Sequence, residues 1–171
     1  YIFDAVCFST NYSSFSSIKI LKQFFMSTEC MEVNNINDYK VTFKRKLKIG
    51  NNNEIECKNS YQEITLANKV KINNEFDCII IFLDLEYNES LGELNKVLKI
   101  ISNLSKNDKN LYIVNFFKEE KDIKQNNKNE KNIKILLDKF AFSNCEILTI
   151  NMNISDELIQ KIDKITILIF I

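Results

Sequence analysis

The sequence predicts an α/β domain: three layers built on a mostly parallel six-stranded sheet with one antiparallel edge strand. Three observations predict it. Strand-like and helix-like patterns alternate along most of the chain. Asp77–Leu85 is a continuous apolar run, as a central parallel strand covered on both faces requires. Two short strand patterns flank Gly50-Asn51-Asn52-Asn53, residues that tolerate the positive φ of a tight turn, and this hairpin makes one edge antiparallel.

Each element has its own pattern. Phe3 to Ser9 reads as a buried strand, followed by a helix over 16–27. From Asp38 to Ile49, Tyr39, Val41 and Phe43 alternate with Lys40, Thr42 and Lys44, as a half-buried strand should. Glu54–Lys58 returns as its partner, and residues 60–72 read as a mixed segment containing a short irregular helix. After the central strand, Ser90 is placed to cap a helix whose apolar face is Leu91, Leu94, Val97, Leu98 and Ile101. Leu111–Phe117 is the next buried strand. Lys118–Lys131 is polar and charged throughout and reads as a solvated insertion loop. A helix near 131–142 and a strand near 145–151 follow. Ser155 then opens a last helix whose inward face is Leu158, Ile159, Ile162, Ile165 and Ile169. Asp4 and Asp77 mark strand starts.

Composition narrows the function. At 171 residues the chain reads as one domain over 1–171, able to bury about 70% of the surface its unfolded form exposes. Its 23 basic and 23 acidic residues cancel, which argues against a nucleic-acid binder with a basic face. Histidine is absent, which removes Ser-His-Asp and Cys-His catalysis and histidine metal sites. The five cysteines are widely spaced with no C-x-x-C pair, so inert reduced thiols and a cytoplasmic setting are expected. The apolar tail Ile165–Ile171 is far short of the roughly 20 residues a bilayer span needs, so no membrane insertion is expected. The sequence opens on Tyr1, which leaves a preceding targeting segment open.

Strand, helix, hairpin, mixed segment and three strand–helix units follow the order of a Ras-like small GTPase domain, within the P-loop NTPase class. Each nucleotide-contacting position of that class can therefore be sought in turn. The loop after the first strand has the length of G-x-x-x-x-G-K-[ST]. Ser9 and Ser14 occupy its glycine slots, Phe15 its lysine slot, and Ser16 keeps the hydroxyl. Without the glycines the backbone cannot wrap phosphates, and without the lysine their charge is unbalanced. Ser16 reads as a helix cap. The Asp-x-x-Gly that holds magnesium and meets the γ-phosphate is replaced by Cys57-Lys58-Asn59-Ser60-Tyr61-Gln62. At the guanine-reading Asn-Lys-x-Asp stands Asn115-Phe116-Phe117-Lys118, with the Asn in place and the Asp missing. The last base-contacting loop, near Thr149-Ile150-Asn151, shows no Ser-Ala-Lys. Asp84 and Glu86 lie at the edge where open α/β sheets bind ligands, but Asp84 reads as a strand-end residue. No catalytic residue, cofactor or metal ligand is expected. Ser9, Ser14, Phe15, Ser16 and Asn115 are remnants of a nucleotide site. A diverged nucleotide-dependent enzyme using Asp84, Ser16 and Asn115 is the competing enzymatic reading.

Three stretches resemble the Rab-like pseudo-GTPase domain of the alpha- and gamma-adaptin-binding proteins. The first runs from Ser13-Ser14-Phe15-Ser16 through Gln23–Glu29 to Met31-Glu32-Val33. The second is Ile79–Asp84 with the helix start Ser90-Leu91-Gly92-Glu93-Leu94. The third is Ile135–Phe140 leading into Cys145–Leu148 and the closing helix. The resemblance implies a non-catalytic protein-binding module that engages clathrin adaptor-complex subunits and assists their assembly in vesicle trafficking. It assigns no residue to that contact. The chain is also similar to the centromere protein M family, a kinetochore subunit with a GTPase-like domain, in its Phe76-Asp77 lead into an apolar strand. That family's shorter first loop fits less well.

Overall fold

The computed structural model describes residues 2–9, 19, 21–22, 30–37, 40–51, 53–64, 76–84, 90–104, 110–117, 123–142, 144–151 and 160–164. Among them the strands are β1 (Ile2–Ser9), β2 (Cys30–Asn37), β3 (Lys40–Ile49), β4 (Asn53–Ile64), β5 (Cys78–Asp84), β6 (Asn110–Phe117) and β7 (Cys145–Asn151). They form one sheet in the order β2-β3-β4-β1-β5-β6-β7. β1 pairs in parallel with β4 and β5, and β5, β6 and β7 continue in parallel. β2–β3 and β3–β4 are antiparallel. The helices are α1 (Ser90–Leu104) and α2 (Ile123–Lys139). Lys19, Leu21, Lys22 and residues 160–164 are also helical.

The sheet is covered on both faces, which explains the unbroken apolar run of β5. Ile80 and Phe82 point to one face with Leu21 and Ile162, while Ile79, Ile81 and Leu83 join Leu94, Leu98, Ile133 and Leu137 on the other. Each such fully buried aliphatic side chain contributes about 1.5–3 kcal/mol. The result is a three-layer, Ras-like α/β fold, as the sequence predicts. No helix among the described residues is long and apolar enough to cross a membrane.

Four expectations need correction. The sheet has seven strands, because β2 adds a second antiparallel strand beyond the hairpin. β4 does not stop at Lys58 but continues to Ile64, into the segment read as mixed. The polar stretch over 118–131 is not wholly a loop, since α2 begins at Ile123. That helix ends at Lys139 rather than 142, where Phe140 and Ala141 form a turn. The remainder of the first and last helices lies outside the described residues.

The backbone of Asp77 is clipped to β1. Its N–H donates to the Asp4 carbonyl at 2.7 Å, and its carboxylate accepts from the Asp4 N–H at 2.8 Å. These two hydrogen bonds, just before β5, align the two central strands, so Asp77 does mark a strand start.

Candidate functional site

Parallel pairing brings the carboxyl ends of β1, β4, β5, β6 and β7 to one edge of the sheet. Open α/β sheets bind ligands outside this edge, where the connections leave in opposite directions. Here β1 lies between β4 and β5, with Ser9, Ile64 and Asp84 as the strand ends. Ser9 closes β1 and is in register with Phe82. Ser14, Phe15, Ser16 and Glu86 lie outside the described residues. Asp84 closes β5 opposite Phe116.

Asn115 is the predicted site residue whose side chain is defined. It sits two positions before the end of β6, between Leu83 of β5 and Thr149 of β7. It is fully buried, and neither its Oδ1 nor its Nδ2 has a hydrogen-bond partner among the described residues. A base-reading asparagine must show its amide to an incoming ligand. This one is enclosed on the face packed by α1 and α2, beside an apolar cluster that includes Leu83 and Ile113.

The extension of β4 relocates the magnesium-loop comparison. Cys57, Asn59, Ser60 and Tyr61 are buried within the sheet, so they belong to the core rather than to a loop. The sequence after Ile64, Thr65 to Glu75, contains neither Asp nor Gly, so an Asp-x-x-Gly is missing at the corrected boundary too. Asn59 Nδ2 donates to the Tyr61 hydroxyl at 3.3 Å, and the Tyr61 ring meets Phe43 edge-on at 6.0 Å.

Sequence reasoning missed Glu63, a carboxylate only 4% exposed near the carboxyl end of β4 and in register with Cys7. The period-two row Cys57, Asn59, Tyr61, Glu63 was the available signal, masked by its polar members. Burial, then the neighbouring Cys78 and Glu63, pushes the Cys7 thiol well up. Burial likewise raises Cys57 and, with Glu146, pushes Cys145 up to about 12. These thiols stay protonated near neutral pH and are poor nucleophiles. Cys7, Cys57, Cys78 and Cys145 form no disulfide among the described residues. Among the described residues no group of three or more His, Cys, Asp or Glu side chains is placed to hold a metal ion. An open hollow of about 400 Å³ lies at the opposite end of the hairpin, lined by Lys48, Gly50, Asn51, Asn53 and Glu54, and is remote from the carboxyl edge.

No protein-family model matches the chain, and no curated protein matches it.

Proposed function

We propose that this chain is a pseudo-GTPase: a Ras-like scaffold that neither binds nor hydrolyses GTP and acts in the cytoplasm as a non-catalytic protein-binding module. The observation that carries the reading is the pairing of a retained strand order with loss of the nucleotide contacts. Phe15 stands in the lysine slot, Ser9 and Ser14 in the glycine slots, and no Asp or Gly lies in the segment Thr65 to Glu75 that follows β4. Losing one charge-stabilising donor typically costs about 2.7–4 kcal/mol in a transition state, so several losses leave little catalysis. The enclosure of Asn115 supports the same reading, because a fully buried amide presents nothing to a base.

The proposed partners are clathrin adaptor-complex subunits, following the resemblance to the adaptin-binding proteins. Titration calorimetry with magnesium-loaded GTP and GDP is expected to show no binding; micromolar or tighter affinity would overturn the pseudo-GTPase reading. Pull-down from native extract with mass spectrometry is expected to recover adaptor subunits. Recovery of kinetochore proteins instead would favour a role like that of centromere protein M.

A further inference from the structure

In the hairpin, exposed lysines face acids across the strands: Lys46 is in register with Glu56 and Lys48 with Glu54. β3 and β4 together carry six basic residues against three acids, so these cross-strand acids offset part of the charge. The helical layer has no such facing strand of acids. α1 and α2 together carry seven lysines against three acids, although the chain as a whole is neutral.

The lysines are also arranged. Both helices turn their apolar sides to the sheet through Leu94, Leu98 and Ile101 and through Ile133 and Leu137. Helical spacing therefore sends Lys96 and Lys99 of α1, and Lys128 and Lys131 of α2, to the opposite, outward side, and all four are exposed. None of the four makes an ion pair within the described residues, whereas Lys134 is paired with Glu130 at 2.8 Å. Asp138 is the exposed acid on this face. Ile100 and Ile135 stand among the lysines, 37% and 65% exposed, and are the exposed large hydrophobics of the described residues.

We propose that the outward face of α1 and α2 docks on an anionic lipid surface. Charge complementarity selects the class, and residue type selects within it. A protein interface is centred on aromatic side chains and arginine, whose planar fork pairs carboxylates in two-pronged fashion. This face has lysines, which act as hydrated point charges, and no exposed aromatic. Single-stranded nucleic acid would want aromatic rings for base stacking, and the neutral chain lacks the overall basic character of such binders. Clustered lysines on a helical face, with aliphatic side chains able to reach the headgroup boundary, match the chemistry of phosphatidylserine-type surfaces.

The test is co-sedimentation of the full chain with phosphatidylcholine vesicles, with and without phosphatidylserine. Binding is expected to require phosphatidylserine and to weaken steeply between low and physiological ionic strength. The triple variant Lys99→Glu/Lys128→Glu/Lys131→Glu is expected to lose about tenfold or more of that affinity. Lys46→Glu/Lys48→Glu/Lys58→Glu, which changes charge by the same amount at exposed positions of the hairpin, is expected to leave it within about twofold. Equal binding to neutral vesicles, no vesicle binding, or equal loss in both variants would overturn the proposal. So would tighter capture by polyglutamate or polyuridine than by anionic vesicles. Far-ultraviolet circular dichroism establishes that the exposed substitutions leave the fold intact.

Discussion

Arg45 on β3 and Asp163 in the helical turn at 160–164 form a two-pronged ion pair across 118 positions of sequence. One guanidinium nitrogen donates to Asp163 Oδ1, and the other donates to Oδ2 at 3.0 Å. Arg45 is the single arginine of the chain, and its side chain is only 7% exposed, against 26% for Asp163. The pair fastens the closing helix to the hairpin half of the sheet. Its two ends are unequal, because water reaches the carboxylate far better than the guanidinium. Asp163→Asn is therefore expected to cost about 2–4 kcal/mol, since it removes the carboxylate charge that Asp163 sets against a buried cation. Arg45→Met is expected to cost less, about 1–2 kcal/mol, since the remaining carboxylate can be hydrated. Urea unfolding of both variants checks the order; equal losses would remove the argument from unequal burial.

Ala141 holds φ at 55°, a left-handed conformation that costs an L-residue with a Cβ roughly 1–2 kcal/mol. It terminates α2: the Phe142 N–H donates to the Leu137 carbonyl at 3.3 Å, and the Ala141 N–H donates to Asp138 at 3.1 Å. This is a Schellman closure with alanine in the position glycine prefers. Leu137 and Phe142 belong to the same apolar cluster, and that burial keeps the turn in place. Ala141→Gly is expected to stabilise the protein by about 0.5–1 kcal/mol after the entropy glycine adds to the unfolded chain. A lower thermal midpoint for this variant would contradict the strain argument.

The legible parts of the fold were those in which burial and residue type agree. Ile79 to Leu83 could only be a doubly covered strand, and Gly50, with φ +66°, is where the hairpin turns. The hidden parts are polar residues inside regular structure. Asn59, Ser60 and Glu63 are buried in β4, yet the strand pattern reads only as far as Lys58 and 60–72 reads as a mixed segment, because the signal for a strand is an apolar row. β2 carries Glu32 and three asparagines among its eight residues, and an edge strand needs no apolar alternation to be held by backbone pairing. Among the described side chains of α2, Asn129, Ile133 and Leu137 are the buried ones and lie along one stripe, so Lys and Asn elsewhere concealed the helical period. At the site, the missing lysine and glycines were legible as residue types. The enclosure of Asn115 was not, because it depends on helices packed from outside the strand.

Buried acids whose protonated form is favoured set the alkaline limit. The Cys7 and Cys57 thiols are raised chiefly by burial, and so are the Tyr61 and Tyr112 phenols. In the unfolded chain the thiols lose their protons near pH 8.5, while the folded chain keeps them. The unfolded state then binds fewer protons, so stability is full below that pH and falls as pH rises towards the folded values. Each such group contributes a slope of up to about 1.4 kcal/mol per pH unit in that window. Unfolding under reducing conditions is expected to become steadily easier from pH 8 to pH 10, roughly the interval in which free thiols titrate. Cys7→Ala is expected to flatten that slope whatever it does to stability at pH 7, and an unchanged slope would count against the assignment.

Asn115 joins the stability of the sheet to the proposed function. A buried amide whose donor and acceptor both lack partners carries a desolvation cost of about 1–3 kcal/mol per group. Valine lacks both polar atoms, exceeds asparagine in volume by less than leucine does and suits a strand, and Leu83 and Ile113 already supply apolar neighbours on that face. Asn115→Val is therefore expected to stabilise the protein by about 1 kcal/mol, with adaptor-subunit capture unchanged. A surviving base-reading site would respond differently, because the variant would lose guanine-nucleotide affinity that the parent chain possesses. Calorimetry on the two chains side by side separates these cases. Gained stability with no nucleotide heat in either chain is the expected result, and nucleotide binding abolished by this one substitution would mean that Asn115 still reads a base.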